Sequence, residues 1–276
     1  MAGMKFKKLR KIYRILFPKK IKNSERFELG LQNNPLISDF EKSGTIYNLQ
    51  MITGNTVVSR SESYSDYLVF QQIFNQQEYD VIIKLFELNA GFSHEKNIID
   101  AGANVGYTTV YLSENLNNPC IFAIEPSEKN AELFEMNIAR LANNSRITLY
   151  RKALSEREDM RYELGRDFRD GKDWSITTAE NNHGTIEGIS IAEIISENEL
   201  SHVSLLKIDV EGAERFIFKQ GNDFSFLKIT EIIAIEIHDE YEIRHDIERI
   251  LQQNNFFLFE SGELTIGINK TLLNHL

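Results

Sequence analysis

The chain has 276 residues, 42% of them hydrophobic, one cysteine and a formal net charge of −10. That length accommodates one large α/β domain or two small ones, a single domain with an N-terminal extension being the simpler reading, and the lone Cys120 excludes a disulfide or a cysteine-based zinc site within the monomer. No apolar run approaches the ~20 residues that span a bilayer and no secretory apolar segment is present, so a cytoplasmic, reducing location is expected.

Residues 1–22 hold nine basic side chains and no acid, which leaves −19 on residues 23–276. So acidic a body is unsuited to nucleic-acid phosphates, and no nucleic-acid partner is expected. On a helical wheel Phe6, Leu9, Ile12, Tyr13, Leu16 and Phe17 share one side, most basic residues take the other, and Pro18 ends the segment. Such a helix can lie on the inner face of an anionic membrane, each basic residue contributing ~1 kcal/mol. It can equally dock on the protein's own acidic body, and the pattern leaves both readings open. Nothing in the sequence fixes an oligomeric state.

Residues 23–92 are expected to form a hairpin and a helical cap. Thr45–Ile52 and Thr56–Arg60 flank Thr53-Gly54-Asn55 as two strands around a turn. Helical spacing follows at Tyr67, Phe70, Ile73 and Phe74, and again at Val81, Ile82, Leu85 and Phe86.

Residues 93–276 alternate strand and helix. The apolar strand 97–101 runs into Asp100-Ala-Gly102-Ala103-Asn104-Val-Gly106-Tyr-Thr108, a glycine turn that opens a helix near 106–116. Glycines there let a ligand approach the main chain, and a helix start is expected to leave N–H groups exposed. The Gly-x-Gly-x-x-Gly spacing that holds a dinucleotide pyrophosphate is absent. A carboxylate, Asp100, stands at the entrance instead, where it would repel pyrophosphate and attract a cationic ligand such as a sulfonium with an α-amino group.

Strand 120–125 ends at Glu125-Pro126. An acid at that distance beyond the turn can accept hydrogen bonds from a ribose diol, and Pro126 stops the strand. A helix through Ala131, Phe134, Ile138 and Leu141 leads to strand 146–150, after which Arg151-Lys-Ala153-Leu154 marks the expected adenine edge. The irregular stretch 155–185, with Trp174 and His183, is long enough to be a functional loop or insert that shapes an acceptor pocket. Ser190-Ile-Ala-Glu193 reads as a capping box. Strand 203–209, a helix near 212–219 closed by Gly221, strand 231–238, and a helix through Ile243, Ile247, Ile250 and Leu251 follow. Strands 255–260 and 264–268 around Ser261-Gly262 must be antiparallel.

The string Lys207-Ile-Asp209-Val-Glu211-Gly212-Ala-Glu214 places carboxylates at the carboxyl end of a strand, where open parallel sheets bind ligands. Acids stabilising a helix N-terminus would explain Glu211 and Glu214 but not Asp209. His238, ending the next strand, has a side chain suited to general-base work, although a lone strand-end histidine is more often structural.

This string, with Asp-x-Gly-Ala-Asn-x-Gly-x-x-Thr at the first turn, resembles the FkbM family of class I S-adenosylmethionine-dependent methyltransferases over about residues 66–270. The resemblance implies an α/β Rossmann-like fold: a mostly parallel seven-stranded sheet with a C-terminal antiparallel hairpin and helices on both faces. It also implies S-adenosylmethionine as cofactor, held by Asp100, Gly102, Ala103, Asn104, Gly106, Thr108, Glu125, Pro126, Ala153 and Asp209. Ala153 enters only through the family's Ala-Leu pair. Asp209, Glu211 and His238 are expected to face the acceptor, a hydroxyl on a glycan or related natural product. Asp209 and Glu211 could instead hold Mg²⁺, for which the sequence gives no further support. The rival readings are an NAD-dependent oxidoreductase, disfavoured by the missing glycine spacing and the terminal hairpin, and a catalytically silent Rossmann-like binding module.

Overall fold

The computed structural model describes residues 22–88, 95–141, 145–157, 159–165, 177–180, 183–210 and 212–272. The basic segment 1–21, Trp174 and Glu211 lie outside the described residues.

The sheet that carries the site has seven strands: β4 (Asn97–Ala101), β5 (Cys120–Ile124), β6 (Arg146–Tyr150), β11 (Val203–Ile208), β12 (Thr230–Glu236), β13 (Phe256–Ser261) and β14 (Leu264–Asn269). Their order is β13-β14-β12-β11-β4-β5-β6. All neighbours pair in parallel except those of β14, which inserts antiparallel between β12 and β13.

Successive residues of a strand face opposite sides, and here both sides are buried. Ile98, Leu205 and Ile232 join one apolar core with Tyr47, Leu49, Phe70, Ile73 and Ile82 from the N-terminal elements. Their neighbours Ile99, Leu206 and Ile233 enter the other core with Ile191, Ile194, Ile247, Ile250 and Leu251. The apolar runs that read as strands are therefore central strands covered on both faces. Among the described residues no helix is long and apolar enough to cross a membrane.

The N-terminal elements are helix α1 (Asn23–Gln32), strands β1 (Ile37–Ser43), β2 (Ile46–Met51) and β3 (Thr56–Arg60), helix α2 (Asp66–Phe70) continued by a π turn (Gln71–Asn75), and helix α3 (Asp80–Leu88). The expected hairpin is present as β2 and β3, but β1 adds a third antiparallel strand. Its sequence, Ile-Ser-Asp-Phe-Glu-Lys-Ser, buries only Ile37, so it carries no alternating signal. Backbone pairing and a two-residue turn with Gly44 at φ +63° hold it instead.

Two buried networks fix this layer to the sheet. Asn137 accepts from the Val58 N–H at 2.6 Å and donates to the Val105 carbonyl at 2.7 Å, while the Tyr107 hydroxyl donates to the Val58 carbonyl at 2.7 Å. Arg60 pairs with Asp66 and also donates to Asn130 Oδ1 at 2.9 Å.

The stretch 155–185 departs from expectation. Strands β7 (Ala153–Ser155), β8 (Arg161–Gly165), β9 (Thr177–Glu180) and β10 (Ile186–Ser190) form a second sheet, ordered β7-β10-β8-β9. Arg161-Tyr162-Glu163 alternates with Tyr162 turned inward against Ala153 and Met160, too short a signal to stand out among so many charges. The capping box opens the helix Ile191–Glu197: Glu193 N–H donates to Ser190 Oγ at 3.1 Å, and Ser190 N–H donates to Glu193 Oε2 at 2.7 Å.

Candidate active site

Crossovers between parallel strands place the carboxyl ends of β4, β5, β11 and β12 along one edge. The register there is specific. Ala101 pairs with Ile208, Ile208 with Ile235, and Glu236 with Leu264, so Gly102, Asp209, Glu236 and Glu263 follow one another along the edge.

The glycine turn is tightly bound to its surroundings. Gly102 and Ala103 N–H groups both donate to the Ile124 carbonyl, at 3.0 and 2.9 Å. Asn104 N–H donates to Glu125 Oε2 at 2.9 Å, and Gly106 N–H to the Ala103 carbonyl at 2.9 Å. The expectation of N–H groups left free in this turn is thus corrected at these four positions. Amides already engaged cannot cradle a pyrophosphate. Gly106, at φ +86°, caps helix α4 (Tyr107–Asn115), and Thr108 is buried in its first turn.

Asp100 is also placed differently from expectation. It is 0% exposed, so it stands behind the turn and not at its mouth. Oδ2 accepts from Thr109 Oγ1 at 2.7 Å, and Oδ1 lies 3.1 Å from Lys207 Nζ in an ion pair not aligned as a hydrogen bond. Lys207, itself buried, donates to the Gly102 carbonyl at 2.7 Å and reaches Asp209 Oδ2 at 3.7 Å. Burial pulls the Lys207 ammonium down, but the carboxylates of Asp100 and Asp209 outweigh it and the net shift is upward. The sequence reading passed over Lys207 as a site residue. The available signal was a lysine inside the apolar run Leu-Leu-Lys-Ile, where burial demands a charged partner.

Glu125 closes the other side of the turn. Besides Asn104, its carboxylate accepts from Ser127 N–H at 2.8 Å and Asn130 Nδ2 at 3.4 Å, which continues the Asp66–Arg60–Asn130 network. Burial pushes its carboxyl up to about 7 against the lowering effect of these donors and of Lys207. Pro126 follows, half-buried, where β5 has ended. Ala153, expected at the adenine edge, is fully buried in strand β7 with its methyl packed in a small core with Met160 and Tyr162.

Farther along the edge, Asp209 remains one-third exposed while its N–H donates to the Ala101 carbonyl at 3.1 Å. His238, expected to face the acceptor, is instead enclosed. Glu214 Oε1 accepts both its backbone N–H at 3.0 Å and its ring Nδ1–H at 2.7 Å, which leaves Nε2 directed toward Glu236 Oε1 at 3.7 Å. Asp209, Glu236 and His238 bring one donor atom each within 4.8 Å of one another. Carboxylates gather at such edges without a metal.

A parallel α/β sheet with an inserted antiparallel strand and a glycine turn after its first central strand is the fold of the class I methyltransferases. Residues 100–258 match the methyltransferase FkbM domain, and the chain belongs to this methyltransferase family. It is 26% identical over 192 residues to methyltransferase 1 of Beauveria bassiana, covering 62% of this chain and 73% of that protein. To methyltransferase sdnD of Sordaria araneosa it is 24% identical over 223 residues, covering 68% and 81%. Among solved structures, magnesium protoporphyrin IX methyltransferase from Synechocystis PCC 6803 aligns at a TM-score of 0.40 with 14% identity, over 71% of this chain and 80% of that one.

Proposed function

We propose that the protein uses S-adenosylmethionine to methylate a hydroxyl oxygen on a glycan or related natural product. One observation carries the reading: Glu125, a buried carboxylate at the end of β5, is locked against the glycine turn at Asn104. Its oxygens suit the hydroxyls of a ribose diol. Turn amides engaged elsewhere do not suit a diphosphate, which disfavours the dinucleotide alternative. The acidic rim that favours a cationic donor consists of Asp209 and Glu236, with Asp100 neutralised behind it.

Bound at this turn, the cofactor supplies a methyl group already activated on a sulfonium. The chain's part is then mainly alignment of the acceptor, worth ~7–11 kcal/mol, beside a factor of ~10²–10⁴ from a base. Asp100 and Lys207 hold the turn in place, and Gly102 lets its main chain lie close to the Asp209 carbonyl.

Calorimetry with S-adenosylhomocysteine tests this. Hydroxyl donors favour the charged carboxylate, so binding releases a proton from Glu125. Affinity should climb as pH rises toward about 7 and level off above it, because Glu125 titrates there in the free protein. The slope should be at most ~10-fold per pH unit. Glu125→Ala should weaken binding at least ~10-fold, about 1.4 kcal/mol, and flatten that slope. Binding of NAD without S-adenosylhomocysteine would sink the proposal.

A further inference from the structure

Beyond Glu236 the edge opens into a cavity of about 710 Å³ between helix α2 with its π turn, the start of α3, and the β13–β14 turn. We infer that this cavity is the acceptor site, that it takes an uncharged, hydroxyl-rich molecule, and that Glu78 receives the proton of the hydroxyl that is methylated. The inference rests on the methyl-transfer reading above.

Position supports it first. The wall formed by Ser261, Gly262 and Glu263 precedes Leu264, which pairs with Glu236. The cavity therefore adjoins the edge that runs from Gly102 through Asp209, and Glu78 feels the charges of Asp209, Lys207 and Glu263.

The lining supports the acceptor class. Gln71, Gln72, Gln76 and Gln77 bring four side-chain amides together with Glu78 and Glu263. Each amide both donates and accepts, as a sugar hydroxyl does. Most small-molecule cavities of this size are mainly apolar, and this one is not. Among the described residues the one cation of the lining, Lys84, pairs with Asp80. Lys207, whose charge reaches Glu78, is buried against Asp100 and Asp209, so an anionic acceptor would still meet the carboxylates of Glu78 and Glu263 at the wall.

Backbone geometry supports a built site. The π turn Gln71–Asn75 presents Gln71 and Gln72 to the cavity, and Gln77 holds φ at +54°, a strained value for a residue with a side chain. Gln72 Nε2 donates to Glu78 Oε1 at 2.8 Å and to Glu263 Oε2 at 3.2 Å, tying the two walls through one amide. This orients the Glu78 carboxylate, whose Oε2 has no hydrogen-bond donor among the described residues. Burial pushes Glu78 up to about 7: Gln72 and Lys207 lower it, Asp209 and Glu263 raise it. In the step, an acceptor lone pair forms the oxygen–carbon bond, the carbon–sulfur pair stays on sulfur, and the hydroxyl proton passes to Glu78.

The test is saturation-transfer NMR on the full chain saturated with S-adenosylhomocysteine. The probes are methyl glycosides of glucose, galactose, mannose, rhamnose, xylose and N-acetylglucosamine, with glucose 6-phosphate and galactose 1-phosphate as anionic counterparts. At least one neutral glycoside should bind and the phosphorylated sugars should not. Glu78→Gln, and separately Gln76→Ala at an exposed position, should weaken that binding ~10-fold while S-adenosylhomocysteine affinity stays within ~2-fold. With the bound glycoside as acceptor and S-adenosylmethionine saturating at every pH, so that Glu125 does not limit, methyl transfer should rise with pH up to about 7, and Glu78→Gln should lose that dependence. Cofactor binding with no neutral glycoside bound, binding unaffected by both variants, or preference for a phosphorylated sugar would overturn the inference. Failure to bind S-adenosylhomocysteine at all would instead overturn the methyl-transfer reading beneath it.

Discussion

Gly102→Ala is expected to destabilise the protein by more than ~4 kcal/mol, a magnitude reserved for backbone clashes and buried charges. A Cβ at position 102 would lie 1.7 Å from the Asp209 carbonyl oxygen and 2.8 Å from its carbon. Neither atom can step aside, because Asp209 N–H is bonded to the Ala101 carbonyl and the Gly102 N–H to the Ile124 carbonyl. The residue also holds φ at +79°, so the methyl would add strain even in open space. Relief requires β4 and β11 to part at their carboxyl ends, where the Asp100–Lys207 pair sits. Gly106→Ala is the internal control: its added carbon would meet the buried Phe134 ring at 2.7 Å, a side chain and not backbone. Urea titration of the two variants should rank Gly102→Ala well below Gly106→Ala. A Gly102→Ala protein within ~1 kcal/mol of wild type would mean that the strands do not approach as closely as described.

That close approach was only half legible in the sequence. Strands 97–101 and 146–150 were readable to the residue, the first from its Ile98-Ile99 pair before the glycine turn and the second from the alternation of Ile147 and Leu149 with polar residues. Strand 37–43 was invisible, since six of its seven residues keep some contact with solvent and pairing alone holds it. The glycines of the turn signalled a tight bend, but not that their amides would be spent on Ile124 and Glu125, partners 21 to 22 residues away or so in the chain. Asp100 and Glu125 look alike in sequence, each an acid at a strand end. Only the register of β11 shows that a lysine faces Asp100 while Glu125 has backbone donors. Glu78 was farther from reach. It belongs to the N-terminal layer, and only folding brings it beside Asp209 and Glu263.

Lys207→Ala should cost ~3–5 kcal/mol, because truncating one partner of a buried pair strands the other charge. Asp100 would keep only Thr109 at zero exposure, the Gly102 carbonyl would lose its 2.7 Å donor, and Asp209 would lose its cation. The pH dependence follows from the sign of the lysine shift. A pKa raised above the usual 10.5 contributes stability that is complete below that value and lost only as pH rises through the higher folded one. The gap between wild type and variant should therefore be flat across neutral pH and narrow only in strong alkali. A double-mutant cycle isolates the pair. Asp100→Asn combined with Lys207→Met removes both charges together, so the double variant should be more stable than the sum of the single losses by ~0.5–3 kcal/mol. Strict additivity would show that the two side chains do not act as a unit, and that the glycine turn is held by its backbone bonds alone. Coupling of the expected size would make the ion pair the brace that keeps the turn in register with the acidic edge, so that methyl donor and acceptor are presented by one rigid rim.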